Sequence, residues 1–273
     1  MKSAALAMLL VACTSGPESI PGDTSPDDPT EQPDETTGLK TDKPLQTITL
    51  GTGVVMATPT VVHVYWGSYW ASDAGAADRA IIDNFTARVG ATSWWNVSSE
   101  YADHEGNTPG VPTAGSAVLA TDGDPPTKLF STDVDLHRFL TGQLTSGALT
   151  YDPETMYMVF PQPGTTGPRG ECGHHSYFTA STPDGKRKVI YALVPYLGND
   201  PSCGVNVEVN GAALDQITPT LAHEIAEAAS DPYLNAWMTA DGVEIADQCD
   251  SGYAADFGAV QDLWSNASSS CVH

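Results

Sequence analysis

The chain has 273 residues, with 11 basic side chains against 34 acidic ones and a formal charge of −23. That balance excludes ordinary nucleic-acid binding, which needs a basic face to displace counterions from phosphates. Hydrophobic residues make up 41% of the chain, enough for a core. No apolar run reaches the ~18 residues that a membrane-spanning helix requires.

The first thirteen residues read as an export signal. Met1-Lys2 is positive, Ala4 to Ala12 is apolar throughout, and Leu10-Val11-Ala12-Cys13 resembles a bacterial lipobox, whose cysteine is acylated after cleavage. Residues 1–12 are therefore expected to be a lipoprotein signal peptide, with Cys13 the sole attachment to a membrane. Thr14 to Gln46 holds six prolines, eight acids and two lysines, with almost nothing large and apolar. Such a segment buries too little surface to offset its ordering entropy, so residues 13–46 read as a solvated tether. The folded domain is expected over residues 47–273, monomeric, on the outer surface of the cell envelope or secreted.

Val61 to Trp66 is β-branched and aromatic, bounded by Pro59 and Gly67, and predicts a buried strand. Ala77, Ile81, Phe85 and Val89 recur every four residues and predict a helix from Asp73 to Val89, capped by Ser72 or Asp73. Asn96 to Lys128 is polar and rich in Gly and Pro, which suits loops and short edge strands. Leu136, Leu140 and Leu144 mark a helix over Ser131 to Leu144; Met156 to Phe160 and Val189 to Val194 read as two more strands. The alternation predicts an α/β or α+β single domain, loop-rich, with one central mixed sheet flanked by helices. His63 reads as a hydrogen-bonded core or edge histidine with no functional role, and the same discount on function applies to His104, His137 and His273. Trp94-Trp95 suits either core filling or a sugar-binding platform.

Beyond Cys13 four cysteines remain: Cys172, Cys203, Cys249 and Cys271. An even number in an exported domain reads as two disulfides, with three pairings open. The sequence-local pairing, Cys172–Cys203 with Cys249–Cys271, closes two loops that do not cross. No two of the four have the C-x-x-C spacing of a zinc knuckle.

The chemistry concentrates in Thr218 to Asp231. Thr218 and Pro219 suit a helix start, and Pro232 disfavours helix at Asp231. At 100° per residue, His223, Glu224, Glu227, Ser230 and Asp231 share one sector of ~120°. His223 and Glu227 are one turn apart and can converge on one cation, as in the H-E-x-x-H helix of zincin metalloproteases with its second histidine replaced by glutamate. Glu224 then occupies the position of the general base. A solvated polar face on a surface helix has the same pattern. A catalytic zinc also needs a third protein ligand, and Glu244 and Asp247, 17 and 20 residues beyond Glu227, are the candidates. That much carboxylate would also suit calcium or manganese. Upstream, Cys172-Gly173-His174-His175 places His175 where it could reach a metal or a developing oxyanion, while His174 is expected in an exposed loop.

Taken in order, Cys172-Gly173-x-His175, Tyr191 to Tyr196, His223-Glu224-x-x-Glu227, Asn235-Ala236-Trp237 and Glu244-Ile245-x-Asp247-x-Cys249 resemble the EXORDIUM, or phosphate-induced protein 1, family of secreted proteins. The Trp66 strand and Ser93-Trp94-Trp95 extend the likeness over most of residues 55 to 265. The resemblance implies an extracellular protein and carries no established catalytic activity. The chain departs from plant members in its lipobox, its acidic tether and the absence of extra cysteines near Cys203. The leading expectation is an exported metal-dependent hydrolase acting on extracellular peptide or wall polymer. In it His223, Glu227 and either Asp247 or Glu244 hold zinc, Glu224 activates the metal's water, and His175 lies near the oxyanion. The competing expectation is a non-catalytic module that binds wall polymer or protein around a structural ion. A glycosidase with paired carboxylates is a third.

Overall fold

A computed structural model describes residues 45–129, 132–167, 171–198 and 203–273. The expected signal peptide, Cys13 and the expected tether up to Pro44 lie outside the described residues. In chain order the elements are β1 (Thr49–Leu50), β2 (Thr60–Trp66), α1 (Asp73–Val89), β3 (Thr113–Ala114), β4 (Val118–Ala120), α2 (Val134–Ser146), β5 (Thr155–Pro161), β6 (His174–Thr182) and β7 (Gly185–Leu193). There follow α3 (Leu214–Ser230), β8 (Trp237–Met238), β9 (Gly252–Ala255), β10 (Gly258–Gln261), β11 (Leu263–Ser265) and β12 (Ser270–Val272). Among the described residues no helix is long and apolar enough to cross a membrane.

The sheet is mixed and six-stranded, in the order β3-β2-β5-β7-β6, with β4 also paired to β2. β2, β5 and β7 run parallel, and β6 returns antiparallel along β7 from His174↔Leu193 to Thr182↔Gly185. Strand alternation divides the core in two. Val61, Tyr65, Met156, Met158, Phe160, Ile190 and Ala192 face α1 and α3, whereas Val64, Trp66, Tyr157, Val159, Tyr191 and Leu193 face α2. The result is the expected α/β sheet flanked by helices on both faces.

α1 starts and ends where its periodicity places it, with Ser72 Oγ accepting from the Gly75 N–H. α2 lies two to three residues later than expected and buries Leu136, Leu140 and Leu144. β6 is a correction, because the Cys172-Gly173-His174-His175 segment enters a nine-residue strand rather than a loop. Pro183-Asp184-Gly185 supplies the tight turn into β7, with Gly185 at φ 105°. The start of α3 is a second correction. Thr218 is not its cap and Pro219 is not its first residue, since the helix begins a turn earlier at Leu214. The Leu214 and Asp215 N–H groups bond the Gly211 carbonyl, and the Asp215 carboxylate accepts from the Val209 and Asn210 N–H groups. That turn puts Leu214 and Ile217 into the core, which favours the extra helix in spite of Pro219.

Both disulfides have the sequence-local pairing, Cys172–Cys203 and Cys249–Cys271. His63 is a satisfied core histidine, between Asp83 Oδ1 at 2.7 Å and Thr86 Oγ1 at 2.9 Å. Trp94 and Trp95 are buried, which removes them as an open sugar platform.

Candidate metal centre

Helix α3 is buried along its whole length, polar residues included. It lies on the sheet, and α1, the β9–β10 hairpin and the helical turn at Ser93–Glu100 pack around it. The polar sector of the helix is therefore not a solvated face. His223, Glu224 and Glu227 instead meet side chains from β6 and from the loop between β8 and β9.

Glu227 is the centre of the cluster. Its Oε1 accepts from the Ala246 N–H at 3.2 Å and the Asp247 N–H at 3.1 Å, so the helix grips the loop that carries the acids. Its Oε2 lies 3.0 Å from His223 Nε2 and 3.7 Å from His175 Nδ1. Asp247 Oδ1 is 3.5 Å from the same His223 nitrogen, and Asp247 Oδ2 accepts from the Glu244 N–H. Glu244 Oε1 turns the other way, to 3.8 Å from His175 Nε2. The two candidate third ligands thus part company: Asp247 joins His223 and Glu227, and Glu244 joins His175 and Glu227.

His223 is held from behind by a residue that the sequence did not single out. Gln261, on β10, donates its amide NH₂ to the carbonyls of Ala246 at 3.0 Å and Cys249 at 2.5 Å. With NH₂ committed to two carbonyls, its Oε1 faces His223 Nδ1 at 3.1 Å and accepts the proton there. Nδ1–H is thereby fixed, so a metal that displaces the Nε2 proton meets the Nε2 lone pair on the side of Glu227 and Asp247, the tautomer a ligand needs. Trp94 Nε1 bonds the Gln261 carbonyl at 2.7 Å, so the Ser-Trp-Trp motif steadies this strand. The one sequence signal for Gln261 was a polar residue inside an apolar strand pattern.

Electrostatics follow from this geometry. Burial opposes charge on His223, but the carboxylates of Glu227, Glu224 and Asp247 hold its pKa well above the ordinary imidazole value. Burial also works against the Glu227 charge, yet His223 and His175 outweigh it and keep this carboxyl below its usual range. Glu224 goes the opposite way. Burial, with the Glu227 charge added, pushes it up to about 7 against the pull of His223. Asp247 keeps 22% exposure, the most of any member, so the cluster opens to solvent on its side; partial burial and Glu227 raise it to about 6. An imidazole nitrogen with its tautomer set, two carboxylate oxygens within 3.5 Å of it and an edge open to water suit a zinc-like ion.

Gly173 lets β6 approach α3. A Cβ there would lie 2.6 Å from Thr220 Cγ2 and 2.8 Å from Glu224 Oε1. Because His175 pairs with Ala192 near the end of β7, the cluster lies by the carboxyl ends of the parallel strands, where open α/β sheets place their ligands.

His174 is not in an exposed loop. It is buried on the opposite face of the sheet, between Glu171 Oε1 at 2.7 Å and Asp133 Oδ2 at 2.8 Å. Tyr191 donates to the same Asp133 oxygen, and His137 bonds the Tyr191 hydroxyl. Adjacent histidines on one strand point to opposite faces, so His174 and His175 serve different clusters.

The chain is similar to a plant protein, EXORDIUM-like 5 of Arabidopsis thaliana, with 23% identity over 239 residues. The match covers 75% of this chain and 64% of that protein, so the chain spans less than two thirds of its relative's length. This likeness supports the resemblance that the motifs carry. No family model matches the chain, and neither does any solved structure.

Proposed function

We propose that this EXORDIUM-like domain is an exported metal-dependent hydrolase of extracellular peptide or other polymer bonds, with His223, Glu227 and Asp247 holding a zinc ion. The observation that supports it most is the His223 imidazole, held by Gln261 with its Nε2 toward two carboxylates on a buried helix. When bound, the ion supplies Lewis acidity and brings the pKa of water near 7. The remaining work falls to the chain. Glu224, one residue beyond the ligand and raised to about 7, takes up and returns a proton near neutral pH, as a general base should. Asp247 marks the side from which substrate arrives. Export rests on the first thirteen residues, and mass spectrometry of the mature protein should find an acylated Cys13 at its N-terminus; an unmodified or different N-terminus refutes the lipobox.

The burial of α3 on every side favours one second reading, a wall-polymer or protein-binding module with a structural ion. Metal content and one substitution separate the two. The purified protein should carry zinc that His223→Ala removes from this position. Glu224→Gln keeps the side chain's size, so it should retain fold and metal while lowering hydrolysis of a peptide panel by roughly 10²- to 10⁴-fold. A folded protein that takes up no zinc, manganese or calcium ends the hydrolase reading. A Glu224→Gln variant that keeps metal and full activity leaves the binding module.

A further inference from the structure

The zinc position just described leaves three buried groups of the cluster unused: His175, Glu244 and one oxygen of Glu224. His175, Glu227 and Glu244 offer ligand atoms that all lie within 4.8 Å of one another, as His223, Glu227 and Asp247 do. We propose that the cluster holds two divalent cations, the second among His175, Glu227 and Glu244, with Glu227 bridging both. This rests on the hydrolase reading for its first position and adds a second.

Distances argue first. His175 is fully buried, and its ring nitrogens lie 3.7 Å from Glu227 Oε2, 3.9 Å from Glu224 Oε2 and 3.8 Å from Glu244 Oε1. These are too long for hydrogen bonds. Two donors at ~2.1 Å from a common ion, however, are separated by up to about 4 Å. Glu227 Oε2 is the oxygen that faces both imidazoles, while Oε1 is occupied by backbone N–H groups, so the shared atom is already selected.

A second observation is independent of the trio. Glu224 Oε2 is buried, in a residue 2% exposed, and has no hydrogen-bond partner among the described residues, yet it points to His175. Native proteins rarely leave such an atom unsatisfied, and an ion beside it supplies the missing contact. Charge argues in the same direction. Among the described residues no lysine or arginine pairs with Glu224, Glu227 or Asp247. With both histidines neutral, as ligands must be, the four carboxylates of Glu224, Glu227, Glu244 and Asp247 match two divalent cations in charge. His175 Nε2 donates to the Asp231 carbonyl at 3.1 Å, which leaves Nδ1, the nitrogen facing Glu227 and Glu224, as the lone-pair atom of the ring. Paired ions about 3.5–4 Å apart are the arrangement with which many hydrolases clamp the attacking and leaving oxygens of a substrate.

The test is metal stoichiometry on the full folded protein, stripped with chelator and reloaded with Zn²⁺ or Mn²⁺. Wild type should bind two equivalents. His223→Ala and Glu244→Gln should each keep one, and Glu227→Gln should hold neither tightly. The Mn²⁺-loaded protein should give a spin-coupled EPR signal in place of the six-line spectrum of an isolated ion. One equivalent in wild type, lost with His223→Ala and untouched by Glu244→Gln, overturns the second cation and leaves the first. No uptake of either metal overturns the hydrolase reading itself. Should Glu244→Gln fail to fold by circular dichroism, wild-type stoichiometry and EPR coupling decide alone.

Discussion

Replacing Gln261 with methionine isolates what holds the His223 ring. Methionine matches glutamine in length and volume, so packing of β10 is nearly preserved. Three hydrogen bonds disappear: two amide donations, to Ala246 and Cys249, and one acceptance from His223 Nδ1. The Ala246 carbonyl keeps a second donor, the Cys249 N–H at 3.0 Å, and so loses least. At about 1 kcal/mol for each bond, the metal-free domain should lose about 3 kcal/mol. In a domain of this size each kcal/mol moves Tm by roughly 2–4 °C, so melting should fall by about 6–12 °C, read by circular dichroism in chelator. Freed of its partner, His223 can rotate or take the other tautomer, and zinc affinity should drop about 10- to 100-fold in competition with a chromophoric chelator. A variant whose Tm stays within 2 °C of wild type and whose zinc affinity stays within about twofold, below that expected loss, would show that Gln261 does not set the ring.

Two further predictions test the surroundings. Gly173→Ala should destabilise the domain by about 1–3 kcal/mol, because its methyl meets Thr220, Glu224 Oε1 and the Leu193 carbonyl; an unchanged urea midpoint would show that β6 does not press on α3 there. His174 has a pKa raised well above the ordinary value because Asp133 and Glu171 outweigh the burial that opposes its charge. Its stabilising contribution is therefore complete below about pH 6.5, the unfolded value, and is lost as pH climbs toward the native pKa, at about 1.4 kcal/mol per unit. Urea titrations from pH 6 to 9 should show this decline in wild type and a flatter profile in His174→Gln; parallel profiles would refute a charged His174.

The sequence alone specified what local chemistry controls. β-branched runs marked β2, β5 and the end of β7, and a four-residue apolar period marked α1, because side-chain direction repeats every two or 3.6 residues. The pairing of neighbouring cysteines and the shared sector of His223, Glu224 and Glu227 were legible for the same reason. β6 was less so, since His174-His175-Ser176 lacks the apolar alternation of a half-buried strand and is buried by packing on both faces. Nothing local separates a solvated polar face from a buried one. That difference arose when α1 and the β9–β10 hairpin closed over α3 and forced its polar groups to find partners within the protein. The same closure brought Gln261 to His223 across 38 residues, while packing on the other face of the sheet brought Asp133 to His174 across 41. It also parted Asp247 from Glu244: three residues apart in one loop, they turn to different histidines because Glu227 grips the backbone between them.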